Sequence, residues 1–240
     1  MSRAGVVAAL SLEARAFGAR RRWRPGIEIL PDGTLLTVSG MGLASASAAA
    51  RALVAAGATG LVSCGVAGGL DPQWRAGAVM LPQEVLSVSG ARLPTTTRWH
   101  ERVHASISAA LRSASPLSHA PLLTSPVAIE TPAQKIAAFR GSGAVAVDME
   151  SLAVGEVARQ FGLSFLVIRV VIDAAHDVLP AGLAAAANAG GRLRGSGQLA
   201  RHLLVPGELR AWWQFARRFR AANASLSSAA RAADLTASLP

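Results

Sequence analysis

Short apolar runs alternate along the chain with Ala-rich stretches of helical period. AGVVAAL (4–10), TLLTVSG (34–40), GLVSCGVAGG (60–69), AVMLPQEV (78–85), GAVAV (143–147) and SFLVIRVVID (164–173) read as strands. Several are apolar throughout, the pattern of strands covered on both faces. LASASAAARALVAAG (43–57) reads as a helix whose small side chains allow close packing on a sheet. In MESLAVGEVARQFG (149–162), Leu152, Val154, Val157 and Phe161 suit a helix buried along one side. This alternation predicts an α/β fold: a single domain with a central mixed, twisted sheet and helices on both faces. The opening MSRAGVVAAL runs straight into Glu13 without a cleavage signature, so it reads as a buried first strand and not a leader.

Beyond about residue 180 the pattern weakens. LPAGLAAAANAGGRLRGSG (179–197) suggests a helix and then a flexible connection carrying Arg192 and Arg194. PGELRAWWQFARRFRAA (206–222) predicts an amphipathic helix. At about 100° per residue, Leu209, Trp212, Trp213, Ala216 and Phe219 share one side, with Arg210, Arg217 and Arg218 opposite and Arg220 near the apolar edge. The chain thus divides into an α/β unit over 1–180 and a basic, helical C-terminal extension over 181–240.

Composition narrows the classes. Hydrophobic residues make up 51%, yet no uninterrupted apolar run reaches the roughly 18 residues of a membrane span. One cysteine, Cys64, excludes an intrachain disulfide framework and fits a reducing cytoplasm. No Cys/His set has zinc spacing, so no metal is expected. The net charge of +10 comes almost wholly from Arg, with Lys135 the only lysine, as a GC-rich coding sequence would give. A basic excess favours an anionic partner: a membrane surface, a nucleic acid or a phosphorylated ligand. The central Arg residues are not interleaved with aromatics and no RNA-recognition motif is visible, so nucleic acid is not expected.

In α/β folds ligands gather at the carboxyl ends of strands. Four such ends carry unusual residues: Gly40-Met41-Gly42, Gly68-Gly69, Asp148-Met149-Glu150, and Asp173. Glu13 follows the first strand, either as a solvated acid in a helical first turn or as a site residue. The SGMG turn can bring backbone amides to an anion or a sugar, or be only a tight strand–helix turn. Gly65, Gly68 and Gly69 indicate close approach of something, which could be another strand. Of Asp148 and Glu150, one can cap a helix while the other faces a cleft. Asp173 ends a long apolar segment, where desolvation would raise its pKa and make it a general acid; its alternative is an N-cap to AAHD. His176 and Asp177 read as surface loop residues.

VVAALSLEARAF, VSGMGLASASAAARAL, LVSCGVAGGLDPQWRAGAVMLPQEV and VAVDMESLAVGEVARQFGLSFLVIRVVIDAAHD, in that order, resemble the nucleoside phosphorylase/nucleosidase superfamily, especially the bacterial methylthioadenosine/S-adenosylhomocysteine nucleosidases. Within it, the basic tail after IDAAHDVLP is most similar to the hopanoid-associated phosphorylases, which release adenine from adenosylhopane.

The resemblance implies a role for each acid. Glu13 matches the residue that positions and deprotonates the attacking water, and Asp173 the acid that protonates purine N7. Met149 and Glu150 match the pair that holds the ribose, and the backbone around Val127 falls where the family hydrogen-bonds the adenine edge. Gly42, Val66 and Gly68 fall at the backbone loops around the nucleophile. No cofactor or metal is implied, with phosphate as the alternative co-substrate. Val66 replaces a Ser that in the nucleosidases supports the catalytic Asp, so Asp173 must be held differently. The phosphate-gripping positions correspond to Ser63 and Val66, which weakens that grip and favours water, while Arg169 or a loop Arg keeps phosphate open. A lipid-linked nucleoside would bring the 206–222 helix to a membrane surface, making the protein cytoplasmic and peripheral at the inner face; relatives imply a homo-oligomer. The alternatives are a methylthioadenosine/S-adenosylhomocysteine nucleosidase, a general purine nucleoside phosphorylase, a basic nucleic-acid-binding module, and a ligand-sensing relative without activity.

Overall fold

The computed structural model describes residues 2–18, 26–111, 116–178 and 206–240, without the side chains of 206–211. The segment containing Arg192 and Arg194, and the side chains of Leu209 and Arg210, lie outside the described residues. In chain order the elements are β1 (Ala4–Ala8), α1 (Ser11–Ala14), β2 (Ile27–Ile29), β3 (Leu35–Val38), α2 (Leu43–Ala55), β4 (Gly60–Gly69), β5 (Val79–Met80), β6 (Glu84–Ser87), β7 (Arg92–Pro94), α3 (Thr97–Leu111), β8 (Leu117–Ser118), β9 (Leu122–Thr124), α4 (Pro132–Ser142), β10 (Ala146–Asp148), α5 (Ser151–Gln160), β11 (Ser164–Asp173), α6 (Pro206–Ala232) and α7 (Leu235–Ser238).

β4 organises the sheet. Its first half lies between parallel β1 and parallel β11, and its last two residues, Gly68 and Gly69, turn to pair antiparallel with β10. β10 continues through parallel β9 to β6, so the sheet bends around the end of β4. Strand alternation divides the core. Val6, Val62, Leu166 and Ile168 face a layer containing Trp99 and Val103 of α3 and Phe215, Ala222 and Leu226 of α6. Val7, Leu61, Val167 and Val171 face the opposite layer, with Ala46, Ala50 and Leu53 of α2 and Val154 and Val157 of α5. The mixed sheet with helices on both faces follows the sequence pattern.

The C-terminal helix departs from expectation in its burial. α6 runs to Ala232, and the side it buries includes Phe215, Ala222, Leu226 and Ala229, which join the core of the sheet. Trp213 and Ala216, expected on the apolar side, are exposed, and the Arg217 guanidinium lies 4.8 Å from the Trp213 ring centroid. Burial has selected the aromatic at 215, which the helical-wheel reading left off the packed face. α7 closes the core: Ser238 Oγ accepts a hydrogen bond from Trp99 Nε1 at 3.1 Å.

One irregularity bears directly on the site. Along the β4–β11 ladder the register slips between Val171 and Asp173, leaving Ile172 as an extra residue and setting Asp173 opposite Gly68. Such a bulge re-aims the side chain that follows it.

Candidate functional site

The ends of β1, β4, β10 and β11 open onto one cleft, roofed by the loop before α4 and by Phe215 and Phe219 of α6. Glu13, Val66, Gly68, Val127, Met149, Glu150 and Asp173 all line it. Gly42 stands just behind, its N–H donating to Glu150 Oε1 at 2.9 Å. The SGMG turn therefore presents its amide to a carboxylate of the protein. Gly42 can do so with φ +94°, in the region that favours glycine.

Glu13 is buried, unlike a solvated helix-start acid. Oε2 accepts the Leu10 N–H at 2.8 Å, closing the first turn of α1 on itself, and Oε1 accepts the Val66 N–H at 2.9 Å. Burial pushes its pKa up, opposed by the Arg169 charge and by these amides. Gly65 explains the close fit, because a Cβ there would stand 2.6 Å from Glu13 Oε1 and 2.5 Å from Arg169 Nη1. Gly69 is needed for another reason: a Cβ would meet the Asp173 carbonyl at 2.8 Å, so here the close neighbour is another strand.

Arg169 is the organiser that the sequence did not single out for this task. Its buried Nη2 lies 2.7 Å from Asp148 Oδ2 and 3.5 Å from Glu150 Oε2, and donates to Ser63 Oγ at 2.8 Å and Ser151 Oγ at 3.2 Å. Burial disfavours its charge, but Asp148, Glu150 and Glu13 outweigh that and raise its pKa. Asp148 also accepts Thr124 Oγ1 at 2.7 Å and the Ser151 N–H at 3.2 Å, so it anchors the start of α5. Glu150, the other acid, faces the cleft. Burial raises its pKa to about 7, with Arg169 pulling down and Asp148 pushing up. The expectation that Arg169 keeps phosphate open meets a different arrangement: Arg169 is committed to carboxylates, and Ser63, at a position already read as weakening the grip, is fully buried against Arg169 and Ser151.

Asp173 forms an ion pair through Oδ2 with Lys135 of α4, and both side chains are buried. Oδ1 is buried without a hydrogen-bond partner. Burial raises the Asp173 pKa, with Lys135 opposing. Asp173 therefore does not cap AAHD. The Ala174 N–H donates instead to Asp177 Oδ2 at 2.8 Å, closing a turn, while Asp177 Oδ1 accepts from Arg218 Nη2 of α6 at 2.7 Å. Asp177 is thus a connector to α6 as well as a loop residue. Sequence reasoning missed Lys135 as a site residue, although a single lysine in so Arg-rich a chain was the available signal. At Val127 the backbone N–H and C=O are both engaged by Ser125 Oγ, at 3.3 and 2.7 Å.

Sheet order, helical layers and the acid-lined cleft at the strand ends define a protein of the nucleoside phosphorylase/nucleosidase type. The chain belongs to the Phosphorylase superfamily, whose family model matches residues 32–193. Among solved structures it is similar to a 5'-methylthioadenosine/S-adenosylhomocysteine nucleosidase from Neisseria meningitidis, with 17% identity over 99% of this chain and 100% of that one and a TM-score of 0.72. The corresponding nucleosidase from Colwellia psychrerythraea, in complex with adenine, shows 16% identity over 99% and 96% with a TM-score of 0.71. Futalosine hydrolase from Helicobacter pylori shows 14% over 96% and 94% with a TM-score of 0.69. At these identities the likeness is one of fold. No curated protein matches the sequence.

Proposed function

We propose that this protein hydrolyses the N-glycosidic bond of a 5'-substituted adenosine, releasing adenine. The observation that carries this reading is the meeting of Glu13, Glu150 and Asp173, far apart in sequence, on one cleft. Cleavage builds positive charge on the sugar and negative charge on the base. Glu150 accepts from the ribose hydroxyls and, as a carboxylate, steadies the cationic sugar over Met149. Asp173, whose pKa burial raises against the pull of Lys135, serves as the acid that protonates N7 as the C1'–N electron pair moves into the purine. Water attacks C1' and gives its proton to Glu13, whose pKa burial raises, making its carboxylate a stronger base.

Water is favoured over phosphate by charge. The buried guanidinium at the site, Arg169, faces Asp148, Glu150 and Glu13, so an entering phosphate would meet uncompensated carboxylates. The apolar lining from Leu10, Met41, Ile129, Phe215 and Phe219 supports an apolar 5' substituent, of which adenosylhopane is the proposed case. Exposed Trp213 and Val178, with Arg217 beside the indole, support work at an anionic membrane surface.

The test incubates purified protein with adenosylhopane, methylthioadenosine or futalosine, each with and without phosphate, and identifies the sugar product by mass spectrometry. Free ribosyl product from adenosylhopane without phosphate is expected. A phosphorylated sugar overturns hydrolysis, turnover of methylthioadenosine or futalosine alone overturns the lipid assignment, and no base release overturns the activity.

A further inference from the structure

We propose that Lys135 is the positioning residue that makes Asp173 a competent acid: it holds the inner carboxyl oxygen, aims the outer one at the base, and neutralises the carboxylate as the proton leaves. The proposal rests on the N-glycosidic reading above and concerns a residue that the sequence pattern assigned no role.

Three observations converge. Lys135 is fully buried on a helix that otherwise buries little, so its charge has been carried into the interior at a cost that only fixed partners offset. Its ammonium has three N–H groups and meets three acceptors: Asp173 Oδ2, the Ala174 carbonyl at 2.9 Å and the Asp177 carbonyl at 3.1 Å. The carbonyls belong to a turn closed by the Asp177 N–H on Ala174 O at 3.0 Å and tied to α6 through Arg218, so the acceptors cannot drift. Asp173 Oδ1 is then the oxygen left over, buried and unpartnered beside Gly68 in the wall of the cleft. A bound purine nitrogen would supply the missing partner. Val66, where the resemblance expects a supporting Ser, has no hydroxyl to offer.

The charged groups facing Asp173 are Lys135 from α4, Asp177 from the loop after β11 and Arg218 from α6, the last of which is paired with Asp177. In the reaction the Oδ1–H bond breaks, the N7–H bond forms, and the glycosidic electron pair passes to the purine. Asp173 is left as a carboxylate out of water. With the ammonium opposite, that product is stabilised; without it, burial alone would make the acid hold its proton too tightly to give it up. Three convergent acceptors suit a compact ammonium and not a planar guanidinium. This accounts for a lysine at this one place in an otherwise all-Arg chain.

The experiment compares wild type, Lys135→Met and Lys135→Ala on an adenine nucleoside and on 4-nitrophenyl β-D-ribofuranoside, whose leaving group departs without a proton. Lys135→Met is expected to lower kcat on the nucleoside by about 100-fold with little change in KM. It should also move the alkaline limb of the rate profile up by about one pH unit or more, and spare the nitrophenyl riboside. Added ethylammonium should restore part of the activity of Lys135→Ala, which keeps the test open if the Met variant folds poorly. Equal loss on both substrates with an unmoved limb, or no loss on either, overturns the proposal. If wild type cleaves neither substrate the activity reading fails. The Lys135 proposal is then judged by infrared titration of the Asp173 carboxyl, with Asp173→Asn as blank: a higher pKa in Lys135→Met supports it, and an unchanged one overturns it.

Discussion

Arg169 Nη2 and Asp148 Oδ2 stand 2.7 Å apart, both side chains shut off from solvent, one on β11 and the other at the end of β10. This pair joins two strands that are not neighbours in the sheet, and sets beside it the acid that faces the cleft, Glu150. Removing one partner of a buried pair costs about 3–5 kcal/mol because the other charge is stranded. Arg169→Met, which strands Asp148 and also exposes Glu150 and Glu13 to mutual repulsion, should lower stability by that order. Denaturant unfolding checks it; an unchanged midpoint would show that the carboxylates do not need the guanidinium.

Stability should fall as pH rises through neutrality. Burial lifts the Glu150 pKa from 4.5 to about 7, and Glu13 and Asp173 shift the same way. A raised acid contributes stability that is fully present below its unfolded pKa and lost as pH passes the folded one. The melting temperature should therefore drop between about pH 5 and pH 8 by several degrees, since about 1 kcal/mol corresponds to about 2–4 °C in a chain this size. Glu150→Gln should flatten the curve. Calorimetry at fixed ionic strength reads the effect, and parallel curves for the two proteins would refute it.

Loss of the acids should separate activity from folding. Glu13→Gln, Glu150→Gln and Asp173→Asn should each cut adenine release by about 100- to 10,000-fold while the circular dichroism spectrum stays native. A variant that retains near-normal turnover removes its residue from the scheme.

Gly65→Ala tests the close approach behind Glu13. The added carbon would stand 2.6 Å from Glu13 Oε1 and 2.5 Å from Arg169 Nη1, costing about 1–3 kcal/mol by overpacking and moving the base from its amide partners. Activity should fall more than stability. A fully active Gly65→Ala would mean that Glu13 tolerates displacement.

The roof of the cleft makes its own prediction. Phe219→Ala should raise KM for nucleosides with a large apolar 5' group about 10-fold or more, the scale of losing part of one aromatic contact, and leave adenosine unchanged. Trp213→Ser, altering an exposed residue, should reduce association with anionic liposomes without changing turnover of a soluble nucleoside. Equal effects on both substrates in either variant would point to a folding role.

Much of the scaffold was legible along the chain. β4 and β11 coincide with the apolar runs 60–69 and 164–173, and α2 and α5 fall within 43–57 and 149–162, because strands covered on both faces and helices buried on one leave strong patterns. The short strands β2, β7, β8 and β9, and the helix α4, left no such signal, whereas α3 carries one in Trp99, Val103, Ile107 and Leu111, four residues apart, that the sequence reading passed over. α4 keeps mostly exposed residues around one buried lysine, and strands of two or three residues carry too little pattern to read. Glu13, Met149, Glu150 and Asp173 were found by their places after apolar runs and by the family resemblance, and all four line the cleft.

By itself, then, the sequence determined the layers, the strand ends and which acids stand on them, since periodicity and punctuation are local properties. Tertiary structure alone decided how those acids are held: that Arg169 is taken by Asp148 and Glu150, that a bulge at Ile172 re-aims Asp173, and that Lys135 reaches it from a helix 38 residues away. The energy of a buried charge depends on what surrounds it in three dimensions, and no residue's neighbours across a sheet are written beside it in the chain.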